Sequence, residues 1–400
     1  GQIYKEVDEG QYRGGPAFYI EKALGQKWYA WIFALATVFA CGFLLPGVQA
    51  NAIGNAVDLA LGGGAIISSP FGEVSQYKLA VGSFIVVVLG IIIFGGVRRI
   101  AHFTQFVVPM MALAYIVSAL VIIAMNIEAV PGVVAMIVKD AFTPMAGFGA
   151  AIGWGVKRGI YSNEAGQGTG PHAASAAEVQ HPAQQGLVQA FSVYVDTLLV
   201  CSATAFMILI TGAYHVTGVE GAVSGGALTA AVDPNSPAFT QMAVESVVAG
   251  VGAPFVAVAL LFFAFTTLLA YYYIAETNVA YIKRTFNIPG LMLILKVGLM
   301  ATAFYGAIRT ASLAWAMGDI GVGLMAWLNI VGILIIFLVA KPAIKALRDY
   351  EEQQRAGVKR YSFDPRALGI KNAAFWEKRI ATGRQSGADD NDPSSRGNSI

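Results

Sequence analysis

In this chain of 400 residues, 56% are hydrophobic and only 12% charged, too little polar surface to cover two or three ordinary soluble domains. With a mean hydropathy of +0.62, it reads as an all-α polytopic membrane protein. The net charge of +2 carries little message, because the charges are segregated by position. The two cysteines, Cys41 and Cys201, both fall inside apolar runs and read as small buried hydrophobes, which argues against a disulfide framework or a cysteine metal site.

The chain opens with the polar segment GQIYKEVDEGQYRGG, with no signal peptide or initial span, and residues 1–27 read as a cytoplasmic N-terminal segment. Uncharged runs long enough to cross a bilayer, about 20 residues each, then follow at Trp28 to Val57, Leu79 to Val97 and Ile100 to Ile127. The first contains PGVQANAIGN, whose Gln49 and Asn51 are neutral hydrogen-bonding groups that can contact a solute or tie helices together. A flexible connector is expected around Leu61 to Gly64, and a short surface helix between Pro131 and Lys139.

The next span, Gly147 to Ser175, carries a polar break. Val156 to Gly170, VKRGIYSNEAGQGTG, holds a cationic pair (Lys157, Arg158), a carboxylate (Glu164), Ser162, Asn163 and four glycines. Glycine and the proline at 171 lower helix preference by about 1 and 3 kcal/mol, so local unwinding is expected. Irregular backbone at bilayer depth is tolerated only where it is buried in protein or lines a polar cavity, which makes the break a candidate binding site. Local ion pairing among Lys157, Arg158 and Glu164, or with Asp196, is the structural alternative to solute contact.

Beyond the break come Gly186 to Gly212 across Asp196, surface structure around Ser236 to Glu245, and Ser246 to Ala275. Pro289 to Ile308 crosses Lys296, and Ile320 to Ala340 extends backward through Asp319 to about Thr310. Asp196 reads as a structural or gating partner more than an ion ligand. Lys296 is expected to snorkel or pair, and Asp319 to cap or pair. In FFAFTTLLAYYY, Thr266 and Thr267 offer hydroxyl oxygens to a small cation, or each bonds the carbonyl one turn back. Tyr271 shares the helical face of Thr267.

The total is eight spans. Lys and Arg cluster in alternate connections and in the tail, which places both ends on the cytoplasmic side. Residues 28–340 form the transmembrane domain, and 341–400 a charged cytoplasmic tail, disordered at its end.

The stretch GVKRGIYSNEAGQGTGPHAASAA, followed by HPAQQGLVQAFSVYVDTLLVCSATAFMIL, resembles the signature of the alanine or glycine:cation symporter family, the sodium:alanine symporters. GGPAFYI, VQANAIGN, GGVRRIAHFTQFVVPMMALAY and FAFTT support the resemblance, which runs to about Tyr350. It implies a LeuT-type inverted-repeat fold, the helices here corresponding to core helices three to ten, with the family's first helices lying before Gly1. It further implies sodium-coupled symport of a small neutral amino acid, alanine or glycine, by alternating access in a prokaryotic cell membrane.

By that resemblance Gln49, Tyr161, Ser162, Asn163, Gly166, Gly168 and Tyr271 line the amino-acid pocket. Thr266 and Thr267, with the carbonyl of Phe263, bind sodium. Glu164, Asp196, Lys157 and Arg158 are gating or structural charges. Tyr271 stands where many relatives carry Trp. The implied partners are the amino acid, the sodium ion and the lipid bilayer, with no cofactor, no metal beyond sodium and no nucleic acid. A proton-coupled or differently selective carrier of the same fold is the nearest alternative. A membrane-embedded enzyme using Glu164 or Asp196 lacks a second catalytic partner, and a channel lacks polar groups along a continuous path.

Overall fold

The computed structural model describes residues 1–70, 72–95, 97–143, 151–216, 226, 232–286 and 288–383, with the side chains of 97–104 and 151 set aside. The beginning of the expected broken span at Gly147 and the tail from residue 384 onward lie outside the described residues. Among the described residues, seven helices are long and apolar enough to cross a membrane.

The chain begins with a short hairpin, β1 (Glu6–Asp8) and β2 (Gln11–Arg13), then α1 (Pro16–Leu24). Pro16 occupies the first helical turn, where its missing N–H costs nothing, and Gly25 ends the helix in the left-handed conformation. α2 (Lys27–Phe39) continues through a π segment, Ala40–Leu44, into α3 (Leu45–Ala60). Next comes a second hairpin, β3 (Ile66–Ser69) and β4 (Gly72–Ser75), then α4 (Gln76–Ile93), α5 (Val97–Met125) and α6 (Val130–Ala141). The expected flexible connector is thus partly ordered: Asp58 accepts from the Gly64 amide at 3.1 Å and from the Ser75 hydroxyl, tying both ends of the hairpin down.

The stretch read from the sequence as a broken span holds two helices, α7 (Ala151–Asn163) and α8 (Gly170–Ala176). α9 (Pro182–Tyr194) runs through a second π segment, Val195–Cys201, into α10 (Ser202–Thr211). α11 (Ala238–Glu245) is a surface helix. α12 (Gly252–Lys283), α13 (Leu291–Ile308) and α14 (Ala311–Val339) complete the long helices. α12 starts six residues later and ends eight later than the uncharged run predicts. Its last turns carry Glu276 and Lys283, so the helix outlasts the apolar stretch.

The main core forms where α2, α3, α4, α12, α13 and α14 meet, with Phe33, Leu45, Ile53, Leu268 and Leu299 fully buried. Small residues let the backbones approach: a Cβ on Gly54 would lie 2.7 Å from the Ala307 carbonyl oxygen, and Gly306 abuts the backbone of Gly47. Asn51 donates to the carbonyls of Gly306 and Arg309 at 2.9 and 2.7 Å, so of its two expected roles it takes the helix-tying one. A smaller cluster around Tyr115, Ile122, Met207 and Val256 joins α5, α10, α11 and α12.

The charged tail folds back in α15 (Pro342–Arg355) and α16 (Ala374–Ala381). Trp376 of α16 donates to the Gln2 carbonyl at 2.9 Å, and Arg379 pairs with Glu178 at 2.7 Å. Lys5 is enclosed by Tyr12, Phe375 and Trp376 and donates to the Ala177 carbonyl at 3.0 Å. Burial pushes its ammonium down to about 8, against the opposing pull of Glu178. Both ends of the described chain therefore clamp the loop that follows α8.

Candidate functional site

α7 stops at Asn163 for local reasons. Glu164, Gly166 and Gly168 adopt positive φ values of 57°, 87° and 93°, and two glycines accommodate that without a Cβ penalty. The Asn163 side chain accepts from the Ala165 amide at 2.9 Å, a turn that competes with helix continuation. Gln167 donates back to the Ile160 carbonyl at 2.5 Å. Gly168 also has no room for a side chain: a Cβ there would lie 2.8 Å from Pro16 and 2.9 Å from Phe33. The result is a crook over residues 164–169, with the helix resuming at Gly170 and Pro171.

The π segment Val195–Cys201 faces this crook. Ser162 donates to Asp196, its Oγ lying 2.9 Å from each carboxylate oxygen, and Asn163 donates to the Thr197 hydroxyl at 3.0 Å. The Cys201 sulfur lies 3.1 Å from Ser162 Oγ. Among the described residues Asp196 makes no ion pair, so an intramembrane carboxylate is met here by neutral groups. A π segment widens the helix and turns such a group inward, a geometry frequent at functional sites.

On the other wall, the Gln49 amide lies against the hydroxyls of both Tyr161 and Tyr271. The Tyr161 hydroxyl is buried and has no hydrogen bond of good geometry among the described residues. The Glu164 carboxyl lies near Thr169, with Asp196 within electrostatic reach. Three residues widely separated in sequence are therefore brought to one point beside the crook. A cavity of about 730 Å³ opens from the crook toward α9 and α15, lined among others by Ser162, Asn163, Glu164, Gly166, Asp196 and Asn329, whereas Gln49, Tyr161 and Tyr271 are not among its lining residues.

The cationic pair goes elsewhere than expected. Lys157 and Arg158 bind Asp319 of α14 at 2.6 and 3.1 Å, not Glu164 or Asp196. One helical turn of separation suggested the local partner, but α14 lies against the face of α7 that carries both cations. Arg158 also sits 4.3 Å from the centre of the Trp315 ring, and Trp315 packs on Tyr161 at 4.8 Å. These contacts close the α7–α14 side of the site. Lys296 lies over the Phe94 ring at 4.8 Å.

Thr266 and Thr267 both donate to the Phe263 carbonyl, at 2.9 and 3.0 Å. The back-bonded geometry is thus present, and it also gathers the three oxygens named as a cation site. Each hydroxyl keeps lone pairs for a cation after donating its proton. Tyr271, one turn further on, is buried.

Three buried polar residues were not singled out from the sequence. Asn329 donates to the Gly166 carbonyl at 2.9 Å, His172 Nδ1 meets the Gly168 carbonyl at 2.8 Å, and Asn278 meets His172 Nε2 at 2.8 Å. The carbonyls of Gly166 and Gly168, expected to face solute, are therefore engaged by protein. Asn278 and Asn329 could have been flagged by the rule that singled out Asp196, since an amide inside a membrane-length helix needs a partner.

The chain matches the description "Sodium:alanine symporter family" over residues 1–365. It is 55% identical over 381 residues to YrbD of Bacillus subtilis (strain 168), whose name describes a sodium/proton-dependent alanine carrier; the match covers 94% of this chain and 75% of that one. It is 49% identical to the sodium/proton-dependent alanine carrier protein of Bacillus sp. (strain PS3), covering 86% and 74%. It is 33% identical to the sodium/alanine symporter AgcS of Methanococcus maripaludis, covering 88% and 73%.

Proposed function

We propose that this chain, which belongs to the sodium:alanine symporter family, carries a small neutral amino acid across the cell membrane together with sodium, by alternating access. Members of the family are amino-acid:cation symporters, not enzymes, and the chain is built to span the membrane several times. The finer reading is ours. α7 and α8 together make an eighth, broken span, and the spans follow core helices three to ten of a LeuT-type fold with both described ends cytoplasmic.

One observation carries the reading: polar groups from α3, α7, α12 and the second π segment converge beside the crook, where the buried Tyr161 hydroxyl has the Gln49 amide against it but no hydrogen bond of good geometry among the described residues. A zwitterion brings donors and acceptors that such a set can satisfy. Gln49, Tyr161 and Tyr271 bound the side-chain end and keep it small, while Ser162 and Asn163 address the polar end. Sodium at Thr266, Thr267 and the Phe263 carbonyl adds charge and order to the same region, so occupancy of one site favours the other. The occupied protein then switches by moving α7 against α14, which requires release of the Asp319 pairs.

Alanine uptake into proteoliposomes tests this directly: an inward sodium gradient is expected to stimulate it, and indifference to sodium overturns the sodium-coupled version. Thr267→Ala should raise the half-saturating sodium concentration roughly tenfold, the equivalent of about 1.4 kcal/mol, with expression intact. A second reading, proton coupling, is favoured by one observation, the intramembrane Asp196 with neutral partners. Uptake driven by a pH gradient in sodium-free buffer, lost in Asp196→Asn, would establish it.

A further inference from the structure

Asn329 is a polar residue within the apolar sequence WLNIVGI of α14 and is 1% exposed. A buried amide is costly at bilayer depth unless each half finds a partner, and both halves do. Nδ2 donates to the Gly166 carbonyl at 2.9 Å, and Oδ1 accepts from the Tyr19 hydroxyl. The sense of this chain is fixed by chemistry: a carbonyl oxygen only accepts, so the NH₂ must face Gly166, which leaves Oδ1 for Tyr19 and obliges that hydroxyl to donate. Asn329 also packs on the second glycine of the crook, since a Cβ on Gly168 would lie 3.2 Å from Asn329 Cγ.

Tyr19 belongs to α1, which lies outside the membrane-length helices. It is buried, and the neighbouring Tyr29 of α2 donates to the Leu328 carbonyl on the same stretch of α14. From these contacts we infer that Asn329 is a positioning residue for the crook, and that Tyr19 acts through it by holding the amide in the orientation that engages Gly166. The inference rests on the transport reading for its substrate readout only. Fixing the Gly166 carbonyl fixes the peptide planes that follow Ser162, Asn163 and Glu164, so loss of the contact disturbs the site before it disturbs the bundle.

The test uses the full chain with Asn329→Asp, Asn329→Leu, Tyr19→Phe and the Tyr19→Phe/Asn329→Leu pair. Two readouts are taken: half-saturation against maximal rate of sodium-driven alanine uptake, and the rate at which N-ethylmaleimide labels Cys201. Cys201 is half-buried beside Ser162, and fully buried Cys41 serves as internal control. Either Asn329 substitution is expected to raise half-saturation about tenfold, the scale of one unpaired buried hydrogen bond, and to change Cys201 labelling several-fold with maximal rate and melting temperature little altered. Tyr19→Phe should give a smaller change in the same direction, and adding it to Asn329→Leu should give nothing further.

Unchanged half-saturation and labelling in Asn329→Asp, or additive effects in the pair, would overturn the assignment. Should Asn329→Leu fail to fold, Asn329→Asp and Tyr19→Phe decide. If the unaltered protein takes up no alanine in sodium, the transport reading fails, while Cys201 labelling still decides the role of Asn329.

Discussion

Two long helices of this protein look alike as sequence and differ as structure. Lys27–Ala60 and Pro182–Thr211 have the same mean hydropathy of 2.0, yet 67% of the apolar window is buried in the first and 6% in the second. Each is interrupted by a π segment, and each π segment holds one of the two cysteines. Cys41 is fully buried, 3.8 Å from the Met325 sulfur. Cys201 is half-buried beside Ser162 and Asp196. Hydropathy reports that a helix is compatible with a membrane; it does not report whether its apolar groups meet protein. The first helix spends its small residues on close packing against α13. The second presents Leu187, Val188, Phe191 and Leu198 outward and turns its one carboxylate toward the crook.

The sharpest break of this contrast is at Asp196. Asp196→Ala should lower alanine uptake by more than about tenfold, since hydrogen bonds to a charged group are worth roughly 1.5–3 kcal/mol, and melting of the purified protein should barely move. Retained uptake would mean that the second π segment is a packing feature like the first.

Glycine substitutions separate the two helices next. Gly306→Leu drives a side chain into the Gly47 backbone across the α3–α13 contact and should cost roughly 1–3 kcal/mol, read as a lower melting temperature. Gly186→Ala in α9 meets nothing within 4 Å and should be neutral or stabilise by about 0.5–1 kcal/mol. Comparable losses at both positions would erase the distinction. At the cysteines, Cys41→Phe should destabilise by overpacking while Cys201→Ala stays within about 0.5 kcal/mol of the parent.

The smallest expected effect lies between the two regions, on α11, where Gln241 donates to the Ala56 carbonyl at the end of α3. Glu245 accepts from the amides of Ala253, at 2.8 Å, and Gly250 at the start of α12. These bonds, led by that from Ala253, hold its carboxyl below the usual value of 4.5. A depressed carboxyl favours the folded state once it is ionised in the unfolded chain. Its contribution is therefore present above pH 4.5 and disappears as pH falls through the lower folded value. Glu245→Gln should remove that acid-side slope from a melting curve series, lowering the neutral-pH value slightly and leaving the value at the acid end nearly unchanged.

Much of the architecture was legible because bilayer thickness imposes a length on apolar runs and glycine imposes a conformation on backbone. The long helices, the surface helices α6 and α11, and the interruption at Glu164–Thr169 all follow from such local rules. The hairpin β3–β4 was missed because its order comes from Asp58, outside the loop. The folded tail was missed because its charges find partners such as Glu178, two hundred residues away. The choice of partner for Lys157 and Arg158 was missed for the same reason.

The sequence by itself determined where the chain can cross a membrane and where its helix must break, since both depend on side chains and backbone within a few residues. Only the tertiary structure decided what each intramembrane polar group meets: Asp319 for the cations, Ser162 for Asp196, Asn329 for the Gly166 carbonyl. Those pairs join residues 34 to 163 positions apart. Which of them form depends on how the helices rotate and slide when their small residues pack, and no local pattern encodes that.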